Sequence, residues 1–329
     1  MDNKSHKLWP LIGYTQFNDY EIVDYDYLYF NNYQALVARF EELKDSKKNI
    51  IIDKHEEQLT DKNDPHANQL DKLNYFLETY KCKTRSVVFD NTHDDHFFHK
   101  HQMNHLSAPF YMFYFLNPMT GIKIPNWDSK ISHTFVCVNN THRPHRQKFV
   151  EGLSQNNILP KTKWSYRQKI SSKIIQTPKF LDEADNNLFK PNSPIFETFS
   201  TLYQHCFIAL VTEGAFYQSN ITSITEKSLF PIFYGCIPLI VGLPGSVNLL
   251  RSWGIDMYDD IVDHSYDNVI DPDQRLQMII DQCKQWVSER YPQKIKNLIA
   301  PRILRNQILL TSRDYWKNQI RRIMYDYKY

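Results

Sequence analysis

The chain has 329 residues, of which 42% are hydrophobic and 14% aromatic, with 39 Lys and Arg against 37 Asp and Glu for a formal net charge of +2. That length predicts about two domains, each large enough to bury a core, and the aromatic content excludes a disordered chain because such side chains bring large apolar area for burial. Lysines dispersed among acids leave no electrostatic footprint for nucleic acid.

The first half alternates between the two periodicities. Residues 32–44 read as a helix in which Leu36, Val37, Phe40 and Leu43 share one face, followed by a strand at 49–53, a helix at 68–80 and a strand at 86–90. Residues 117–133 carry two prolines, a glycine and polar breakers, and form the candidate interdomain linker. The alternation then resumes: strand 134–139, helix 144–153, strand 206–212, helix 226–234, strand 238–241, helix 247–253. Short apolar strands alternating with helices predict parallel sheets covered on both faces. From Asp271 onward the chain reads as helices separated near Tyr291 and Pro292, the later one spanning the sequence YWKNQIRRIMYDY.

Five cysteines (Cys82, Cys137, Cys206, Cys236, Cys283) are odd in number, widely spaced and without a CxxC pair. They predict free buried thiols in a reducing compartment. The N-terminal sequence MDNKSHKLWPLIGYTQF lacks a continuous apolar stretch, so neither a secretory signal nor a membrane anchor is expected, and the expected location is cytoplasmic. The triplets Asn139-Asn140-Thr141 and Asn220-Ile221-Thr222 are then chance matches to a glycosylation site.

The most apolar run, TEKSLFPIFYGCIPLIVGLPGS at 225–246, begins with two unlike charges. Pro231, Gly235, Pro238, Gly242 and Pro244 break it too often for a span of about 20 apolar residues, so it reads as buried core. Thr225 is a good N-cap, Glu226 and Lys227 occupy the first helical turn, Pro231 should kink the helix, Gly235 suits its C-terminus and Pro238 opens the next strand. Helix N-termini in a parallel sheet point to the ligand crevice, which puts the charged pair beside a ligand. There a carboxylate accepts sugar hydroxyls and an ammonium neutralises a diphosphate; alternatively Glu226 only complements the helix dipole and Lys227 is solvated. The glycines of Gly242-Leu243-Pro244-Gly245 would let backbone approach the same ligand.

TEKSLFPIFYGCIPLIVG, with FIALVTEGAFYQSNITSITEK and FVCVNNTHRPHRQKFVEGL upstream, resembles the donor-binding region of the fucosyltransferases of glycosyltransferase family 10, over roughly residues 133–265. The resemblance implies two Rossmann-like α/β domains with parallel sheets facing across a cleft, the GT-B type, with a helical C-terminal segment. The implied division is residues 1–125 on the acceptor side, 126–290 for the nucleotide sugar, and 291–329 as helices packing back on the body. It implies Arg146, with Arg143 second, on the donor diphosphate, and Glu213, Tyr217, Asn220, Thr225, Glu226 and Lys227 around the donor. Each has a structural alternative: a solvated basic helix start for Arg143, His145 and Arg146, a carboxylate bonded to the local turn for Glu213, loop filling for Tyr217 and Asn220. Cys236 and Ile237 read as packing, and Trp164 and Tyr166 as core or as a stacking surface. Pro231 within the helix and the sequence that follows Pro244 depart from the animal enzymes.

The segment DNTHDDHFFHKHQMNH, residues 90–105, concentrates five histidines with Asp90, Asp94 and Asp95. Imidazole with carboxylate suits a transition metal, yet the spacing matches no compact zinc site, and an exposed histidine-rich loop is the alternative. An inverting transferase needs a base for the acceptor hydroxyl. Asp94 and Asp95 rank first by position, ahead of Asp90, Asp53 and Glu56. The expected function is transfer of a sugar, fucose from GDP-fucose by resemblance, to a carbohydrate or glycoconjugate acceptor, with no metal and no cofactor. The alternatives are an exostosin-like transferase using a UDP-sugar, a carbohydrate-binding protein without activity, and a metal-dependent hydrolase built on the histidines. No nucleic-acid partner and no transmembrane segment are expected; a peripheral membrane contact through KNQIRRIMYDYKY is a further alternative.

Overall fold

In a computed structural model the protein is described at residues 20–25, 28, 32–53, 69–90, 92–93, 101–107, 130–139, 142–166, 169–170, 173–174, 199, 202–217, 222–288, 292–312, 314–315 and 318. It is a mixed α/β protein with two four-stranded parallel sheets and helices. Two compact units divide the chain, one formed by residues 1–116, 218–223 and 312–329, the other by 117–217 and 224–311.

The first unit runs β1 (Tyr20–Asp24), α1 (Tyr33–Lys44), β2 (Asn49–Asp53), α2 (Gln69–Thr79), β3 (Ser86–Asp90), β4 (Thr92–His93) and β5 (Asn104–Ser107). Its main sheet has the order β1-β2-β3-β5, parallel throughout. Because the order advances in one direction, right-handed crossovers put α1 and α2 on one face. The core agrees: Val23, Ile50, Ile52 and Val88 meet Leu36, Phe40 and Leu43 of α1 and Leu73, Phe76 and Leu77 of α2. Phe40 and Phe76 stack with centroids 5.1 Å apart. Asn32 caps α1 by accepting from the amide of Ala35 at 3.0 Å.

The second unit contains β6 (His133–Asn139), α3 (Pro144–Gln155), β7 (Thr162–Tyr166), the short strands β8 (Lys169–Ile170) and β9 (Lys173–Ile174), and β10 (Cys206–Thr212). The chain then passes through β11 (Thr222–Ser223), which belongs to the first unit and pairs there with β4, and continues in the second unit through α4 (Glu226–Phe233), β12 (Ile237–Val241), α5 (Ser246–Ser252), α6 (Pro272–Val287) and α7 (Pro292–Thr311). The sheet order is β12-β10-β6-β7, all parallel. From β6 the chain steps outward through α3 to β7, then returns to β10 on the other side of β6 and steps through α4 to β12. Two right-handed crossovers in opposite directions put α3 and α4 on opposite faces, and the topological switch lies between β6 and β10.

Packing follows that division. A Cβ on Gly152 of α3 would lie 2.5 Å from Ile280 Cδ1, so the missing side chain lets α3 and α6 approach closely. On the other face Gln307 of α7 donates to the carbonyl of Phe233 at 2.8 Å, and the buried ammonium of Lys296 donates to the carbonyls of Gln204 and Cys206 at 3.0 and 3.2 Å. All five cysteines are free and buried. No helix among the described residues is long and apolar enough to cross a membrane.

The apolar run folds as helix, turn and strand. Thr225 caps α4 through its hydroxyl, and the helix continues through Pro231 to Phe233. The amide of Gly235, at φ 81°, donates to Ile232 and that of Cys236 to Pro231. This Schellman closure needs the left-handed conformation that glycine adopts without a Cβ penalty. Residues 117–129 of the candidate linker, and residues 316, 317 and 319–327 of the expected last helix, lie outside the described residues.

Candidate functional site

Three helices of the second unit begin at one edge of its sheet, where β6, β10 and β12 end: α3, α4 and α5. Their N-terminal amides are potential seats for anions. At two of them the protein supplies the anion itself. Glu213, 1% exposed, accepts from the Thr225 hydroxyl at 2.6 Å, the Thr225 amide at 3.2 Å and the Ser228 hydroxyl at 2.5 Å. Asp267, 2% exposed, accepts from the amides of Val247 and Asn248, both at 3.0 Å, at the start of α5. Burial raises the Asp267 carboxyl above its ordinary pKa, against the lowering effect of those two amides.

Glu213 therefore carries the local-turn alternative, with its carboxylate bound to the first turn of α4. The glycines after β12 likewise serve the fold. A Cβ on Gly242 would lie 2.9 Å from Ser246 Oγ, and Gly245, at φ 83°, is the N-cap of α5. Arg275, 1% exposed, ties these loops together: Nε donates to the carbonyl of Gly242 at 3.1 Å, and Nη2 to that of Phe216 at 2.7 Å.

The start of α3 differs. Its first turn holds no acidic residue, Pro144 is its first residue, and Arg143 at the N-cap makes no side-chain cap bond. His145 and Arg146 follow, both 3% exposed, so neither is the solvated basic start considered from sequence. His145 Nε2 donates to the carbonyl of Glu213 at 3.0 Å, and Arg146 Nη2 donates to the carbonyl of Thr212 at 3.1 Å. A carbonyl only accepts, so the neutral ring carries its proton on Nε2 and a lone pair on Nδ1. Burial first, then the neighbouring Arg146, push the His145 pKa down to about 4, opposed by the backbone bond. The ring stacks on Phe216 at 5.2 Å, and Tyr217, 46% exposed, stands edge-on to both.

Across the switch Thr212 donates to Asn139, joining the ends of β10 and β6. In the first turn of α4 Lys227 Nζ lies 2.9 Å from Glu226 Oε1 and 3.4 Å from the Thr225 hydroxyl, partly exposed. The geometry thus gathers Arg146, Glu213, Tyr217, Thr225, Glu226 and Lys227 at one sheet edge. Asn220, Asp94, Asp95 and Glu56 lie outside the described residues, while Asp53 and Asp90 end β2 and β3 of the first unit. Among the described residues no group of His, Cys, Asp or Glu could hold a metal ion. Cys236 and Ile237 are buried, Tyr166 is buried and bonded to His142 at 2.7 Å, and Trp164 is 36% exposed.

Sequence reasoning missed Ser228, Asp267 and Arg275. A serine two residues beyond Glu226 carries a weak capping signal, but a carboxylate reaching a helix start 20 residues upstream has none, because local capping patterns span only a few residues. No family model, curated protein or solved structure matches the chain.

Proposed function

We propose that the protein is an inverting glycosyltransferase of the two-domain GT-B type, moving fucose from GDP-fucose to a carbohydrate acceptor, and that the cytoplasm is its location. The second unit is the donor domain in this reading and the first unit holds the acceptor. The observation that supports it is the switch between β6 and β10, where a ligand crevice is expected in an open parallel sheet. The first turns of the two helices that flank the switch bring Arg146 and Lys227 to that edge. Main-chain carbonyls and local side chains hold both cations in place, so little reorganisation is needed when charge develops.

In the reaction the acceptor oxygen attacks the anomeric carbon, the bond to the β-phosphate oxygen breaks, and the nucleoside diphosphate leaves with both electrons. Negative charge grows on the β-phosphate in the transition state, which Arg146 and Lys227 stabilise by position. Tyr217 offers a face to the base or ribose. A carboxylate, Asp94 or Asp95 in this proposal, takes the acceptor proton.

Thermal stabilisation by GDP, UDP, CDP and ADP, with and without magnesium or manganese, tests the donor site in wild type and Lys227→Ala. The expected result is a shift by GDP alone, independent of metal and lost in the variant. A preference for UDP would replace fucosyl transfer by the exostosin-like reading, and no shift with any nucleotide would overturn glycosyl transfer.

A further inference from the structure

Helix α7 packs one face into the second unit, with Lys296, Ile299, Ile303, Asn306, Gln307 and Leu310 buried. Its opposite face is exposed at Lys294, Asn297, Leu298, Pro301, Leu304, Arg305 and Ile308. These positions recur at spacings of three and four and form one continuous stripe. Leu298 is 71%, Leu304 47% and Ile308 57% exposed, so three large aliphatic side chains project over about 15 Å of helix.

The charge on this stripe is of one sign. Residues 292–311 contain Lys294, Lys296, Arg302 and Arg305 and no Asp or Glu. Lys296 is spent on buried carbonyls and Arg302 on Asp256 and Asp260; Lys294 and Arg305 lie on the exposed face, Arg305 close enough to Asp256 to help hold its carboxyl below the usual range. At the N-terminal end a groove of about 650 Å³, lined by Ile131, Pro292 and Leu298 with Lys130 and Lys294 at hand, continues the same mixture of aliphatic surface and ammonium.

We propose that the outward face of α7, with this groove, docks on an anionic lipid surface. The helix axis lies in the membrane plane, Leu298, Leu304 and Ile308 enter the headgroup boundary, and Lys294, Arg305 and Lys130 meet lipid phosphates. Charge complementarity selects this occupant. A second copy would bring the same cations against these and be repelled. An acidic protein partner fits less well, because protein hot spots favour Trp, Tyr and Arg and disfavour Leu, while the stripe offers only aliphatic anchors. The long basic side chains beside Leu298, Leu304 and Ile308 can lay their methylene stems along the apolar surface while their charges reach the headgroups.

Flotation of the full chain with vesicles tests the proposal, using phosphatidylcholine alone or mixed with phosphatidylglycerol at low and high salt. Wild type is expected to float only with the anionic vesicles and to release as salt rises. Leu298→Ser with Ile308→Ser, and separately Lys294→Glu with Arg305→Glu, should each lower the bound fraction about fivefold or more. All four positions are exposed, so melting within about 2 °C of wild type is expected and shows that the variants fold. Failure to bind anionic vesicles, equal binding to neutral ones, or variants that bind like wild type would overturn it. The last outcome would move the contact to another part of the chain. A concentration-dependent dimer dissociated by the serine variants, or an acidic protein captured in place of vesicles, would also overturn it. Loss of nucleotide binding has no bearing on this face, so its failure is distinguishable from that of the transferase reading.

Discussion

Replacing Glu213 by Gln removes one carboxylate oxygen from a site where three donors converge: the Thr225 hydroxyl, the Thr225 amide and the Ser228 hydroxyl. The Gln side chain keeps one acceptor and presents an NH₂ group to a hydroxyl that must now find another partner. Hydrogen bonds to a buried charged group contribute about 1.5–3 kcal/mol each, and a buried donor left without an acceptor costs about 1–3 kcal/mol. Gln at 213 is therefore expected to destabilise the second unit by about 3 kcal/mol, since the amide retains part of the network. At roughly 2–4 °C per kcal/mol for a unit of this size, its melting temperature should fall by about 6–12 °C. Calorimetry resolves the transition of each unit where the two melt separately, and chemical denaturation gives the free energy. Two results would refute the reasoning. An unchanged melting temperature would mean that the carboxylate is not bound to the α4 turn. A normal melting temperature with loss of the GDP shift would return Glu213 to the donor sugar.

Two further predictions concern pH. His145 has its folded pKa pushed down to about 4, below the unfolded value of about 6.5, so the unfolded chain binds the extra proton first and stability is lost as pH falls from 6.5 towards 4. His145→Gln should remove up to about 3 kcal/mol of that loss; an identical pH dependence in both proteins would show that the ring is not buried against the Glu213 carbonyl. Asp256 is held below its ordinary pKa chiefly by Arg302, whose Nε and Nη2 lie 2.6 and 2.7 Å from its two oxygens. A depressed carboxylate contributes stability above its unfolded pKa and loses it as pH falls through the folded value. Arg302→Met should therefore cost about 1–2 kcal/mol at pH 7, after allowance for partial exposure, and progressively less below about pH 4. A penalty independent of pH would place the effect in packing against Tyr258, which Arg302 covers at 4.8 Å.

Of the eight strands in the two four-stranded sheets, the sequence pattern leaves out β1, β5 and β7, and the two-residue strands β4, β8, β9 and β11 carry no pattern either. The first three share a position. All three are sheet edges. The interior strands β2, β3, β6 and β10 are legible from their dense apolar runs because two neighbours and two covered faces demand them. Thr162–Tyr166, reading TKWSY, pairs on one side only and buries residues at its ends while exposing Lys163 and Trp164, so its composition carries no strand signal. Local chemistry also located α4: Thr225, Glu226, Lys227 and Gly235 specify its two ends within a dozen residues.

The alternation of apolar strands and helices and the boundaries of α4 are legible along the chain because each depends on residues a few positions apart, and the cysteines read as free from their odd number and wide spacing. The return of β10 beside β6, the seating of Glu213 and Asp267 at the N-termini of α4 and α5, and the bonds of His145 and Arg146 to carbonyls at the end of β10 come from the three-dimensional arrangement. Those bonds join residues 12 to 68 positions apart. Their energy comes from satisfying buried polar groups, and which groups meet depends on strand order, which no local pattern encodes.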